Sequence, residues 1–299
     1  MASLRELRRR IKSVDGIRQI TRAMEMVAAT KLRRAQQRIE AARPYTDKMD
    51  QILAHLSVAV ESGEIYHPLL APREEVKNLL VIAVASNKGL CGSFNSHIIR
   101  RVASHIREAE DNGLNVTLLL IGKKIYDFFR RRNRTIHPAS SAYTHIDEKL
   151  PVSLLQEITE ICTREFLNGD ADRVDMIYTE FKSAIVQRLV ARQYLPIIGL
   201  QPEDEEKEDE ERVSEYIFEP EPEKLFTLLI PKYARVVMFR MLAESFASEH
   251  GARMTAMHNA TDNAVDVIRT LTLQRNKARQ AAITKELSEI VGGAEALRG

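Results

Sequence analysis

Tryptophan is absent from this 299-residue chain, and aromatics of any kind make up only 6% of it. Few aromatics with abundant Ala, Leu, Arg and Glu is the composition of long helices. Cysteine is nearly absent too. Cys91 and Cys162 are too few for a disulfide scaffold, which points to a reducing compartment. No run approaches 18 consecutive apolar residues, so no transmembrane helix and no direct membrane insertion is expected. The N-terminus is basic but lacks the apolar core of a signal peptide, and Glu6 and Asp15 interrupt any transit-peptide pattern, so it reads as mature protein. His137, His145 and Cys162 have no metal-ligand spacing, and no metal or cofactor is expected. Helix breakers are missing at both ends. Past Pro231 there is no proline and only Gly251 before Gly292; before Gly63 there are only Gly16 and Pro44.

These absences leave room for two very long helices. The first opens on the capping box Ser3-Leu4-Arg5-Glu6. Leu4, Leu7, Ile11 and Val14 repeat as a stripe. Ile17, Ile20, Met24 and Val27 continue it after a phase shift, and Leu32, Ala35, Ile39 and Ala42 after another. Ile52, Leu56 and Val60 close it, and Pro44 predicts a kink. The second helix runs from about Pro222. Met257, Ala260, Ala264, Val267, Leu271, Gln274, Ala278 and Ala281 keep the 3-4 spacing of a coiled-coil seam. At ~1.5 Å per residue it reaches about 100 Å, so much of it should project. The economical arrangement pairs residues 1–62 and 221–299 as an antiparallel coiled coil with a non-uniform supercoil. Two core helices in an ordinary bundle is the plainer alternative, but a bundle needs more long helices than the middle supplies.

The middle alternates short apolar runs with helical periods. Leu79–Ala85, Val116–Ile121 and Val174–Phe181 read as strands, with a weaker fourth within Val186–Ile198; Phe94–Ala109, Lys123–Arg132 and Val152–Leu167 read as helices. This predicts a small parallel-sheet α/β domain, Rossmann-like, over residues 76–200, inserted between the helices. Charge is segregated along the chain. Residues 1–50 carry 13 Lys/Arg against 6 Asp/Glu, whereas Glu203–Glu211 holds eight acids and one lysine within a solvated acidic linker, 201–220.

Candidate chemistry is sparse. The loop with Gly89, Leu90, Cys91 and Gly92 follows the first strand, where α/β folds place ligand sites. Its spacing matches neither the dinucleotide nor the P-loop fingerprint, and Gly122-Lys123-Lys124 is no P-loop either. A structural or contact loop is the first reading. A nucleotide site, or an enzyme built on Cys91 with a coiled-coil oligomerisation arm, remains the alternative. Lys31, Arg33 and Arg34 form a basic cluster without an aromatic platform or a DNA-binding motif, which favours an acidic protein partner over nucleic acid. Arg253, Arg275, Lys277 and Arg279 give the second helix a similar character.

Three long motifs carry a family resemblance over the whole chain. They are Ile20 to Gln36; Gly89-Leu90-Cys91-Gly92 with Asn95; and Ala252 to Met257 with Asn259 to Asn263, followed by Asn276 to Leu287. The pattern resembles the gamma subunits of F-type ATP synthases. Ser86-Asn87-Lys88-Gly89 departs from the family's usual Ser-Asp-Arg-Gly, and Arg275 stands where an aromatic is usual. The resemblance implies a non-catalytic rotor shaft without a cofactor, turning inside a ring of alpha and beta subunits. Catalysis then lies on beta, and the α/β domain sits against epsilon and the membrane-embedded c-ring. It places the chain on the cytoplasmic face of a bacterial inner membrane. Carried over by position, Arg253 and Gln280 bond a catch loop of beta, with Thr284 and Glu286 on the same stretch. Met24 faces beta's acidic lever segment, with Lys31, Arg33 and Arg34 just below.

Overall fold

The computed structural model describes residues 3–61, 67–146, 149–184, 186–197 and 222–296. The predicted acidic linker and strand residue Ile198 lie outside these. Helix α1 spans Leu4–Glu61 and α5 spans Pro222–Ala296, with Pro44 and Pro231 inside them. The chain forms two compact units: Met1–Ala29 with Arg253–Gly299, and Thr30–Ala252.

The larger unit is built on a sheet of β1 (Asn78–Val84), β2 (Asn115–Ile121), β3 (Arg173–Phe181) and β4 (Gln187–Leu195), in the order β2-β1-β3-β4. β1 is central and apolar throughout after Asn78, because both its faces are covered. It pairs in parallel with β2 and β3. β4 runs antiparallel to β3, so the sheet is mixed rather than parallel. The connection at 182–186 explains the difference: a parallel return needs a crossover of a dozen or more residues, whereas a hairpin needs only a few.

Helices α2 (Phe94–Asp111) and α3 (Lys123–Arg130) cover one face. Ile98, Val102 and Ile106 fall four residues apart on α2 and are fully buried against Val81, Ala83 and Leu120. Each such side chain removed from water contributes roughly 1.5–3 kcal/mol. Helix α4 (Val152–Asn168), a 3-10 helix (Pro138–His145) where a loop was expected, and part of α5 cover the other face. There every residue from Met241 to His250 is buried. Gly251 follows, and a Cβ on it would lie 3.2 Å from the Ala184 carbonyl oxygen, so this glycine marks the close approach of α5 to the β3–β4 turn.

In the smaller unit the N-terminal part of α1 lies antiparallel to the C-terminal part of α5. The hydroxyls of Thr21 and Thr261 meet at 2.8 Å, and His258 Nδ1 lies 3.1 Å from Glu25 Oε1. The buried and half-buried positions correct the expected seams. Along α1 a 4-3 repeat of them runs through Leu7, Ile11, Val14, Arg18, Thr21, Glu25, Ala28, Leu32, Ala35, Ile39 and Ala42, with Asp15, Gly16, Met24 and Ala29 half-buried beside it. No phase shift occurs. Ile17, Ile20 and Val27 are more than half exposed, because polar residues fill the inward positions beside them. Along α5 the inward set holds Thr261 and Ile268, whereas Val267 is exposed.

Candidate partner-binding surface

The loop at the C-terminal end of β1 spends its polar groups on itself. Asn95 Oδ1 accepts from the backbone N–H and the hydroxyl of Ser86, at 3.0 and 2.9 Å. The Asn95 amide donates to Cys91 Sγ at 3.2 Å, and the Phe94 N–H donates to the Cys91 carbonyl at 3.2 Å. Cys91 is buried beside Phe94 and Ile98. Leu90, in the left-handed region at φ 63°, is instead 62% exposed at the tip. The sulfur is thus buried within an internally braced loop, and the leucine stands exposed at its tip. The brace extends to β2. Gly122, at φ 101°, donates its N–H to the Tyr143 carbonyl at 2.9 Å, and a Cβ there would lie 2.0 Å from the Ala85 carbonyl oxygen.

The terminal-helix residues form a dispersed set. Met24 and Arg253 are half-buried; Gln280, Thr284 and Glu286 are exposed. Arg253 and Gln280 stand 27 residues apart on one helix, about 40 Å at ~1.5 Å per residue. In the larger unit Lys31, Arg33 and Arg34 are exposed, while Leu32 and Ala35 between and beside them are buried. Large apolar side chains accompany the polar ones: Ile283, Leu287, Ile290 and Val291 are all about half exposed or more. An exposed apolar stripe of this length on a helix marks a surface that a partner covers.

The ATP synthase family model matches residues 3–297. The ATP synthase gamma chain of Chlorobaculum parvum is 44% identical over all of both chains, and that of Pelotomaculum thermopropionicum is 45% identical over 99% of this chain and all of that one. The chain belongs to the ATP synthase gamma family. Among solved structures, a chain of the Tetrahymena thermophila mitochondrial ATP synthase central stalk and c-ring is 25% identical, with a TM-score of 0.53 over 81% of this chain and 99% of that one. A chain of the Euglena gracilis mitochondrial ATP synthase shares the fold, with a TM-score of 0.62 at 19% identity over 98% and 94% of the two chains. Among the described residues no helix is long and apolar enough to cross a membrane, and no group of three or more His, Cys, Asp and Glu is arranged so that it could hold a metal ion. Cys162 is buried in α4, where burial pushes its thiol pKa up; His137 caps the 3-10 helix by accepting from the Ala139 N–H.

Several arrangements in this gamma-family chain escaped sequence reasoning. Asp175 on β3 is almost fully buried. Its carboxylate accepts from His105 Nε2 on α2 at 2.7 Å and from both Nε and a terminal nitrogen of Arg173 at 2.7 Å. Burial pushes its pKa up, but the bonds from His105 and Arg173 and their charges outweigh that and hold it below the usual carboxylate value. His105 and Asp175 are 70 residues apart, so no local spacing could signal them. The polar seam residues Arg18, Thr21, Glu25 and Thr261 were legible only as breaks in an apolar stripe.

Proposed function

We infer that this chain is the rotor shaft of a membrane-associated ATP synthase, the element through which ring rotation reaches the catalytic subunits. Full-length identity of 44% to a gamma chain carries the reading. The paired ends of α1 and α5 support it physically. Two helices that bury small and polar residues against each other while leaving Ile283, Leu287 and Ile290 exposed suit a stiff core inside a larger sleeve.

The finer reading assigns 1–62 and 221–299 to an antiparallel coiled coil, 76–200 to the α/β foot and 201–220 to an acidic linker. The sleeve is the ring of alpha and beta subunits. The foot meets epsilon and the c-ring through the loop with Gly89, Leu90, Cys91, Gly92 and Asn95. Arg253, Gln280, Thr284 and Glu286 grip the ring from α5. Met24, Lys31, Arg33 and Arg34 face acidic levers of beta. Coulomb attraction between cationic helix and acidic lever is weakly directional, so it does not lock one angle of rotation. The complex sits on the cytoplasmic face of a bacterial inner membrane, and this chain contributes no catalytic group.

The test is reconstitution with alpha and beta subunits. Stoichiometric assembly with one copy of this chain, and ATP-driven rotation of a label fixed to the α/β foot, is the expected result. Sustained hydrolysis with a stationary foot, or tight stoichiometric ATP binding by the isolated chain, would overturn the reading.

A further inference from the structure

The face of the sheet that receives α5 buries an unusual pair of carboxylates. Glu244 on α5 and Glu180 on β3 are only 6% and 7% exposed. Glu244 Oε1 accepts from Arg240 Nε at 2.9 Å, and Glu180 Oε1 lies 3.1 Å from Lys182 Nζ. The second oxygen of each, Oε2, is buried with no hydrogen-bond partner. A carboxylate oxygen taken out of water and left unpaired is costly, and uptake of a proton is the usual relief. The two side chains sit on facing stretches. Ser248, one turn after Glu244, donates to the carbonyl of Thr179, the residue before Glu180, at 3.1 Å.

Charged and titratable groups surround Glu244 on every packed element. α5 brings Arg240, and β3 brings Tyr178 and Glu180. β4 brings Arg192, and α1 brings Asp47, Asp50 and Arg43. A cleft of about 80 Å³ between α1 and α5 is lined by Arg43, Thr46, Asp47, Phe239, Arg240 and Glu244.

We propose that Glu244 is a proton-operated latch between α5 and the sheet. Protonated, it no longer repels Glu180, and α5 seats firmly on β3 and β4. Ionised, it places two negative charges in one dry layer, and the seat loosens. Burial and the Glu180 charge shift Glu244 in the same direction, raising its pKa, against the opposing pull of Arg240 and Arg192. The sign follows from linkage. A carboxyl whose pKa is raised by folding contributes stability below its unfolded value and loses it as pH rises through the folded one. The seat therefore tightens as pH falls through the raised folded value towards the ordinary glutamate range, about 4.3.

The test compares the full-length chain with its Glu244→Gln and Glu180→Gln variants. Hydrogen exchange at the amides of 241–250, corrected for intrinsic rates, should show the wild-type opening constant rising with pH, by up to about tenfold per unit. Glu244→Gln should abolish that slope, and Glu180→Gln should weaken it and move it to lower pH. Infrared spectra followed over the titration should show a protonated carboxyl band that persists above the ordinary glutamate range and that Glu244→Gln removes. Should Glu244→Gln fail to fold, the Glu180→Gln slope and the wild-type band still decide the matter. An unchanged slope in either foldable variant, or a wild-type chain whose carboxyl bands all titrate within the ordinary carboxylate range, would overturn the proposal.

Discussion

Single residues in this chain act through whether their polar atoms are paired and whether their Cβ has room. Gly122 has no room, since an added Cβ would lie 2.0 Å from a backbone oxygen while φ stays at 101°. Gly122→Ala should therefore destabilise the larger unit by about 4 kcal/mol or more, read as a lowered denaturant midpoint. Asp175 is buried and paired. Asp175→Asn removes two charge-assisted interactions and should cost about 2–3 kcal/mol, less than the roughly 3–5 kcal/mol of a fully buried pair because Arg173 is partly exposed. Its pKa is depressed on folding, so it contributes stability above the ordinary carboxylate value, near 3.9, and loses it as pH falls through the lower folded value. The acid-unfolding limb of Asp175→Asn should be shallower than that of wild type; identical limbs would show that the cluster is not a net stabiliser. Cys91 is a packing residue held by Asn95, so Cys91→Ser in the assembled complex should keep ATP hydrolysis within a few-fold of wild type. Loss of turnover with assembly intact would reinstate the catalytic alternative.

At the scale of elements, α1 and α5 were legible in outline because the absence of breakers is a property of the sequence. Their inward faces were less so. Apolar spacing pointed to Ile17, Ile20 and Val267, whereas the helices turn Arg18, Thr21, Thr261 and Ile268 towards each other. Thr21 and Thr261 satisfy their hydroxyls across the contact and within their own helices, which no periodicity rule counts as favourable. One prediction belongs to α5 as a lever of separate grips. With the proposed contacts, a charge-assisted bond from Arg253 to a beta carboxylate would contribute roughly 1.5–3 kcal/mol, against about 1 for the neutral amide of Gln280. Arg253→Ala should lower complex yield or turnover more than Gln280→Ala. The double mutant should be nearly additive in free energy, because sites about 40 Å apart share no partner. Equal single defects, or a double mutant no worse than one single, would show the grips to be one.

For the molecule as a whole, Ile283, Leu287 and Ile290 near the end of α5 are left uncovered among the described residues. The isolated chain should aggregate with concentration and show rapid hydrogen exchange past about residue 280; protected amides there in a stable monomer would mean the cover lies within the chain. Composition and missing breakers were enough for two long terminal helices, strand–helix alternation for an α/β sheet between them, and three long motifs for the family resemblance, because all of these are written locally. The direction of β4 followed from a connection too short to cross over. The polar seam, the Asp175 cluster and the Glu180–Glu244 pair came only with the packed chain. Each joins residues 64 or more apart in sequence, and a polar side chain looks the same in a sequence whether water or another helix satisfies it; burial alone tells the two apart.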